Sequence, residues 1–75
     1  MYLLFWLDEI APLVVLRDMQ FAPDVGEIIT VHEQGIHINP STKRCRITGR
    51  DIVVDITNGN SSIEKIDFYL EEVVT

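Results

Sequence analysis

The sequence predicts an all-β fold, in which five or six short strands form a small antiparallel barrel or a curled sheet. Runs of β-branched and aromatic residues with alternating polarity recur at even spacing along the 75 residues. Glycine, proline and asparagine occupy the breaks between these runs, as they do in turns. A chain of this length is expected to form a single small domain, 1–75, with a thin core.

The N-terminal segment is strongly apolar. Residues 2–7 predict either a strand or the first turns of a helix, because a continuous apolar run does not distinguish the two. Pro12 ends this element. Residues 13–20 predict a strand whose first half is apolar on both faces, so one of its ends is expected to be buried on both sides.

Residues 20–31 carry the clearest turn-to-strand signal of the chain. Pro23 has a fixed φ and no N–H, Asp24 favours turns, and Gly26 adopts backbone angles that other residues avoid. A β-branched run follows at once, which predicts a strand over residues 27–32.

The next predicted elements are short. Residues 33–35 predict a tight turn with glycine at a positive φ, and residues 36–39 predict a short returning strand. Residues 40–42, which begin with proline, predict a second break.

Residues 44–48 predict a strand by clean alternation. Cys45 and Ile47 point to one side, and the polar residues around them point to the other. Gly49 interrupts this pattern, and an isolated glycine within a strand pattern indicates a bulge or a bend.

Ile52, Val54 and Ile56 restore the alternation after this interruption. Asn58 and Gly59 then give the strongest hairpin signal, because both accept the positive φ that a type I′ turn requires.

Residues 62–74 predict a strand, with a helix as the alternative. As a strand, the segment directs Ile66, Phe68 and Leu70 inward. As a helix, residues 61–64 form a capping box, but the aromatic residues lie off the apolar stripe. Aromatic and β-branched enrichment favours the strand.

The order of these features resembles that of SH3-like small barrels: a strand, a Pro-x-x-Gly turn, a second strand, a bulged hairpin and a terminal strand. The resemblance implies a closed barrel, which removes the free sheet edges that recruit other chains. The other architecture that so short a chain permits is a sheet completed by a second copy.

The charge of the chain is negative but unevenly placed. Twelve acidic residues against six basic ones give a net charge of −6, which repels nucleic acid on average. Four of the six basic residues lie within residues 43–50, with acidic residues on either side. The molecule is therefore expected to be electrically two-sided.

Cysteine usage and the N-terminal run bear on localisation. Cys45 is the only cysteine, so no intramolecular disulfide can form, and a reducing, cytoplasmic setting is expected. The apolar run of residues 1–7 is too short for a bilayer, which needs roughly 20 residues. It lacks the basic start of a signal peptide. We expect it to contribute to a core or an interface, without membrane association.

No catalytic, cofactor-binding or metal-binding motif is recognisable, so we expect a protein that is not an enzyme and needs no cofactor. His32, His37 and Cys45 lack the close pairing of zinc ligands. Asp51 and Asp55 share one strand face but stand ~13 Å apart, too far to act on one bond.

The lack of catalytic, cofactor-binding and metal-binding motifs favours a protein-binding module or inhibitor that covers a partner protein's surface. A more specific form is an acidic surface that imitates nucleic acid, as in small phage proteins that disarm host enzymes. The alternative is a small-barrel nucleic-acid-binding module, with residues 43–50 on phosphates and Tyr69 or Phe68 as a stacking platform. The thin core and apolar N-terminus also predict a homodimer.

Partner contacts are predicted at one aromatic anchor and at charged residues of both signs, because tryptophan and arginine are frequent interface anchors. The basic and acidic residues are expected to lie on different faces. The predicted contacts are Trp6, Asp24, Glu27, Arg44, Arg46, Glu71 and Glu72.

Overall fold

The chain is all-β, as the sequence predicts. A computed structural model describes residues 1–74, except for the side chain of Ile38. Strands make up 66% of this chain, and the described part contains no helix. The strands are β1 (Tyr2–Trp6), β2 (Val14–Leu16), β3 (Ile28–Gly35), β4 (Ile38–Thr57) and β5 (Asn60–Glu72).

The five strands form one curled sheet, a half-barrel, in the order β2-β1-β5-β4-β3. Three neighbouring pairs are antiparallel, but β1 lies parallel to β5, so the sheet is mixed where a fully antiparallel one was predicted. A parallel pair needs a long connection, which residues 7–59 supply. The edge strands β2 and β3 flank an apolar opening of about 300 Å³.

The core lies on the concave face of the sheet, called here the inner face. Phe5 stacks on Phe68 with ring centroids 4.8 Å apart and planes 13° apart. The inward direction predicted for Cys45 and Ile47 is confirmed, since both are fully buried. The complete core consists of Leu3, Phe5, Cys45, Ile47, Ile66, Phe68 and Leu70.

Strand β4 has 20 residues and must bend. At about 3.3 Å per residue it would span about 63 Å if straight, whereas the molecule's longest dimension is 47 Å. Ile47 pairs with Leu70 but Gly49 pairs with Tyr69, so Thr48 is the extra residue of a bulge. The bulge predicted at this glycine is confirmed.

Two predicted interruptions near the start of β4 are wrong in position. The break predicted at residues 40–42 does not interrupt the strand, because β4 runs through these residues. Strand β4 can contain Pro40 because the register with β3 shifts at this point. Pro40 therefore lies in a bulge, where no ladder hydrogen bond is required. The tight turn lies at residues 36–37, beyond the predicted 33–35.

Strand β2 is shorter than the strand predicted over residues 13–20. It ends at Leu16, and Asp18 then adopts a positive φ of 56°, which no extended strand contains. Val15 and Leu16 both remain exposed. The prediction that one end is buried on both sides is therefore wrong.

The C-terminal hairpin follows the sequence closely. Asn58 and Gly59 have φ values of 52° and 80°, positive at both central positions as a type I′ turn requires. The strand predicted over residues 62–74 is confirmed as β5, with its alternate apolar residues in the core.

The far part of this hairpin, residues 52–64, is called the arm because its residues pair only within β4 and β5. Ile52 lies opposite buried Ile66, so the alternation carries Val54 and Ile56 onto the same inner-face side. All three are nevertheless exposed, because no other part of the described chain covers them.

Candidate protein-binding site on the outer face

The face opposite the core, called the outer face, carries three aromatic side chains. Alternation along β1 directs Leu3 and Phe5 into the core and leaves Tyr2 and Trp6 on the outer face. The parallel register of β1 with β5 places Trp6 directly beside Tyr69. The apolar N-terminal strand thus contributes alternate side chains to the core and to the outer face.

Asp67 fixes the orientation of Trp6. The indole Nε1–H donates to Asp67 Oδ1 at 2.9 Å, and Lys65 Nζ lies 3.3 Å from Oδ2 of the same carboxylate. The Asp67 side chain is only 13% exposed. A half-buried indole held by a partly desolvated carboxylate is restrained before any partner arrives.

Tyr69 is held by a second carboxylate. Its hydroxyl donates to Asp51 Oδ2 at 2.7 Å. The ring lies beside Gly49, where an added Cβ would be 3.7 Å from Tyr69 Cδ2, an ordinary van der Waals distance. The hydrogen bond to Asp51 raises the pKa of the Tyr69 hydroxyl, with smaller contributions from desolvation and from the charges of Asp51 and Asp67.

A recess of about 390 Å³ opens beside these two aromatic rings. Asp8 and Glu9 stand exposed at its rim, and Asp8 Oδ1 orders the loop by accepting the N–H of Ile10 at 2.9 Å. Carboxylates around aromatic rings form an environment suited to a cationic group. The recess is lined by Trp6, Leu7, Asp8, Glu9, Asp67, Tyr69 and Leu70.

Of the predicted contacts, only Trp6 lies at this recess. Arg46 and Glu71 are cross-strand partners joined at 3.0 Å, and Asp24 is 3.4 Å from Arg50. Glu27 accepts the backbone N–H of Asp24 at 3.0 Å. The prediction that basic and acidic residues lie on different faces is therefore wrong, because strand pairing interleaves them.

The remaining two predicted contacts lie elsewhere on the sheet. Arg44 is exposed and pairs with Thr30 on β3, whereas Glu72 lies opposite Cys45. Burial raises the pKa of the Cys45 thiol, the Glu72 carboxylate raises it further, and Lys43 opposes both. This cysteine belongs to the core and not to the recess.

Sequence reasoning missed Asp67 and Tyr69 as neighbours of Trp6, and Asp51 as the hydrogen-bond partner of Tyr69. The alternation of β5 did indicate that Asp67 and Tyr69 face water, and this was the only sequence feature that pointed to them as surface residues. Their meeting with Trp6 depends on the parallel pairing of β1 with β5, which joins residues 63 positions apart in the chain.

Two other features, a metal-ligand group and a membrane-spanning helix, are absent from the described residues. Among residues 1–74, no three His, Cys, Asp or Glu side chains come together as a metal-binding group. The same range contains no helix that is long and apolar enough to span a membrane.

Comparison with known proteins yields no relative. No family model, curated protein or solved structure matches the chain. The interpretation of the outer face therefore depends on its geometry and charge.

Proposed function

We propose that this protein is a non-enzymatic protein-binding module whose outer face covers a basic surface of a partner protein. The observation that carries the proposal is the recess in which Trp6 and Tyr69 stand side by side among carboxylates. Tryptophan and tyrosine are the aromatic residues that most often anchor protein interfaces.

The recess suits an arginine or lysine side chain. A guanidinium or ammonium group over Trp6 gains a cation–π attraction, and Asp8 and Glu9 at the rim add opposite charge. Because Asp67 already restrains the indole, binding loses little side-chain entropy there. The net charge of −6 attracts a basic partner from a distance.

The partner class that best fits this chemistry is a nucleic-acid-binding protein. Its basic groove accepts carboxylates in place of phosphates, so a bound module would act as an inhibitor by occupying the groove. The alternative, direct nucleic-acid binding by this chain, is disfavoured: Arg46 and Arg50 are engaged in ion pairs, and Phe68 is buried and cannot stack on a base.

The fluorescence of Trp6 provides a test, because it is the only tryptophan in the chain. We expect an octa-arginine peptide to change its emission in a saturable manner and an octa-glutamate peptide to leave it unchanged. Added salt should weaken the arginine response, since the attraction between exposed charges is screened.

A matched pair of variants separates the recess from overall charge. Asp8→Asn with Glu9→Gln removes two charges at the rim and keeps the acceptor oxygen of the loop. Asp18→Asn with Glu33→Gln removes two exposed charges elsewhere. The first pair should weaken binding severalfold and the second should not. Equal weakening by both pairs would contradict the proposal.

A further inference from the structure

The arm has an apolar face that nothing in the described chain covers. Its residues Ile52, Val54, Ile56 and Ile63 are 48%, 53%, 71% and 44% exposed. They form one stripe that continues the inner face beyond the core. Ile52 pairs with Ile66 and Val54 pairs with Ile63, and the register shift between these pairs, at Glu64, keeps Ile63 on the same side as Ile66. A two-stranded hairpin without a packed face is only marginally stable in water.

The molecule as a whole, arm included, exposes more surface than a compact monomer. A folded monomer of this mass exposes about 4,700 Å², whereas this chain exposes 5721 Å². Its radius of gyration is 14.2 Å, against about 11 Å for a compact domain of the same length. The excess of about 1,000 Å² is comparable to the 800 Å² or so per partner of a standard interface.

The charge on the arm favours a second copy as the occupant. Asp51 and Asp55 lie on the opposite side of β4 from the apolar stripe, since they alternate with Ile52 and Val54. Two chains of net charge −6 can therefore bring these stripes together without placing those aspartates face to face. A basic partner, by contrast, finds no acidic group on this stripe.

We propose that two copies pack their arms face to face, stripe against stripe, about a two-fold axis. Such an interface is isologous, because the same patch is used by both chains. Burial of the stripes provides the second layer that each arm lacks. The outer faces point away from this interface, so the dimer presents two recesses. The proposal extends the proposed function but does not depend on it.

The test is the mass of the purified chain by sedimentation equilibrium over a wide concentration range. Val54→Asp places a charge on the stripe, and Val53→Asp places the same charge on the adjacent residue of the opposite face. We expect Val54→Asp to raise the dimer dissociation constant on the order of 100-fold, because the new carboxylate would be buried without a partner. Val53→Asp should leave the dimer intact.

A second substitution, at a more exposed position, keeps the test valid if Val54→Asp fails to fold. Ile56→Lys lies near the tip of the arm at a highly exposed position. It should give a folded monomer, with the circular dichroism of the wild type. A wild-type chain that is monomeric at all concentrations would overturn the proposal and leave the stripe to a different protein. A dimer unaffected by Val54→Asp and Ile56→Lys would overturn it as well.

Discussion

At the scale of single residues, two carboxylates organise the recess. Asp67 accepts from the indole of Trp6, and Asp51 accepts from the hydroxyl of Tyr69. Both aromatic rings are therefore fixed by hydrogen bonds as well as by packing. This arrangement presents their faces in a defined position, which reduces the cost of ordering them on binding.

The hydrogen bond between Tyr69 and Asp51 predicts a specific dependence of stability on pH. An ionised phenol cannot donate, so the pKa of Tyr69 is raised in the folded chain. Its contribution to stability is present below the unfolded pKa of about 10 and is lost as the pH rises through the folded value. Tyr69→Phe should lower the urea midpoint at pH 8, and the difference from wild type should shrink towards pH 11. A constant difference over this range would contradict this explanation.

At the scale of strands, the sequence pattern correctly predicted the features that depend only on residues adjacent in the chain. The inward alternation of Cys45 and Ile47, the bulge at Gly49 and the Asn58-Gly59 turn all follow from a few adjacent residues. The strand predicted over residues 13–20 failed because Asp18 adopts a left-handed conformation that composition does not reveal.

The two glycines of the β4–β5 hairpin provide a test at this scale. Gly49 does not have a positive φ, and a Cβ there meets Tyr69 at an ordinary contact distance. Gly49→Ala should therefore be neutral or stabilise the fold by about 0.4–1 kcal/mol. Gly59 has a φ of 80°, so Gly59→Ala should destabilise it by about 1 kcal/mol or more. Urea unfolding measures both, and an equal loss in the two variants would contradict the assigned conformations.

At the scale of the whole molecule, the features that sequence missed are those set by distant pairing. The parallel contact of β1 with β5 decides that Trp6 meets Asp67 and Tyr69. The exposure of Val54 likewise arises because no third strand of the described chain lies beside the arm, whereas its alternation is typical of a buried face. Periodicity indicates which residues share a face, but not whether anything covers that face.

Two surfaces with different chemistry result from this pairing. The recess on the outer face combines aromatic rings with carboxylates, and the stripe on the arm is apolar. They lie on opposite faces of the sheet, so the proposed basic partner and the proposed second copy would not compete for one surface.

The most direct measurement is the affinity of a captured partner for matched charge variants. The immobilised chain would capture proteins from the cells that produce it, and calorimetry would follow on the purified partner at increasing salt. We predict a basic partner, competition by duplex DNA, and severalfold weaker binding to Asp8→Asn/Glu9→Gln than to Asp18→Asn/Glu33→Gln. Equal affinity for the two variants, or direct salt-sensitive binding of the chain itself to DNA, would contradict the central claim.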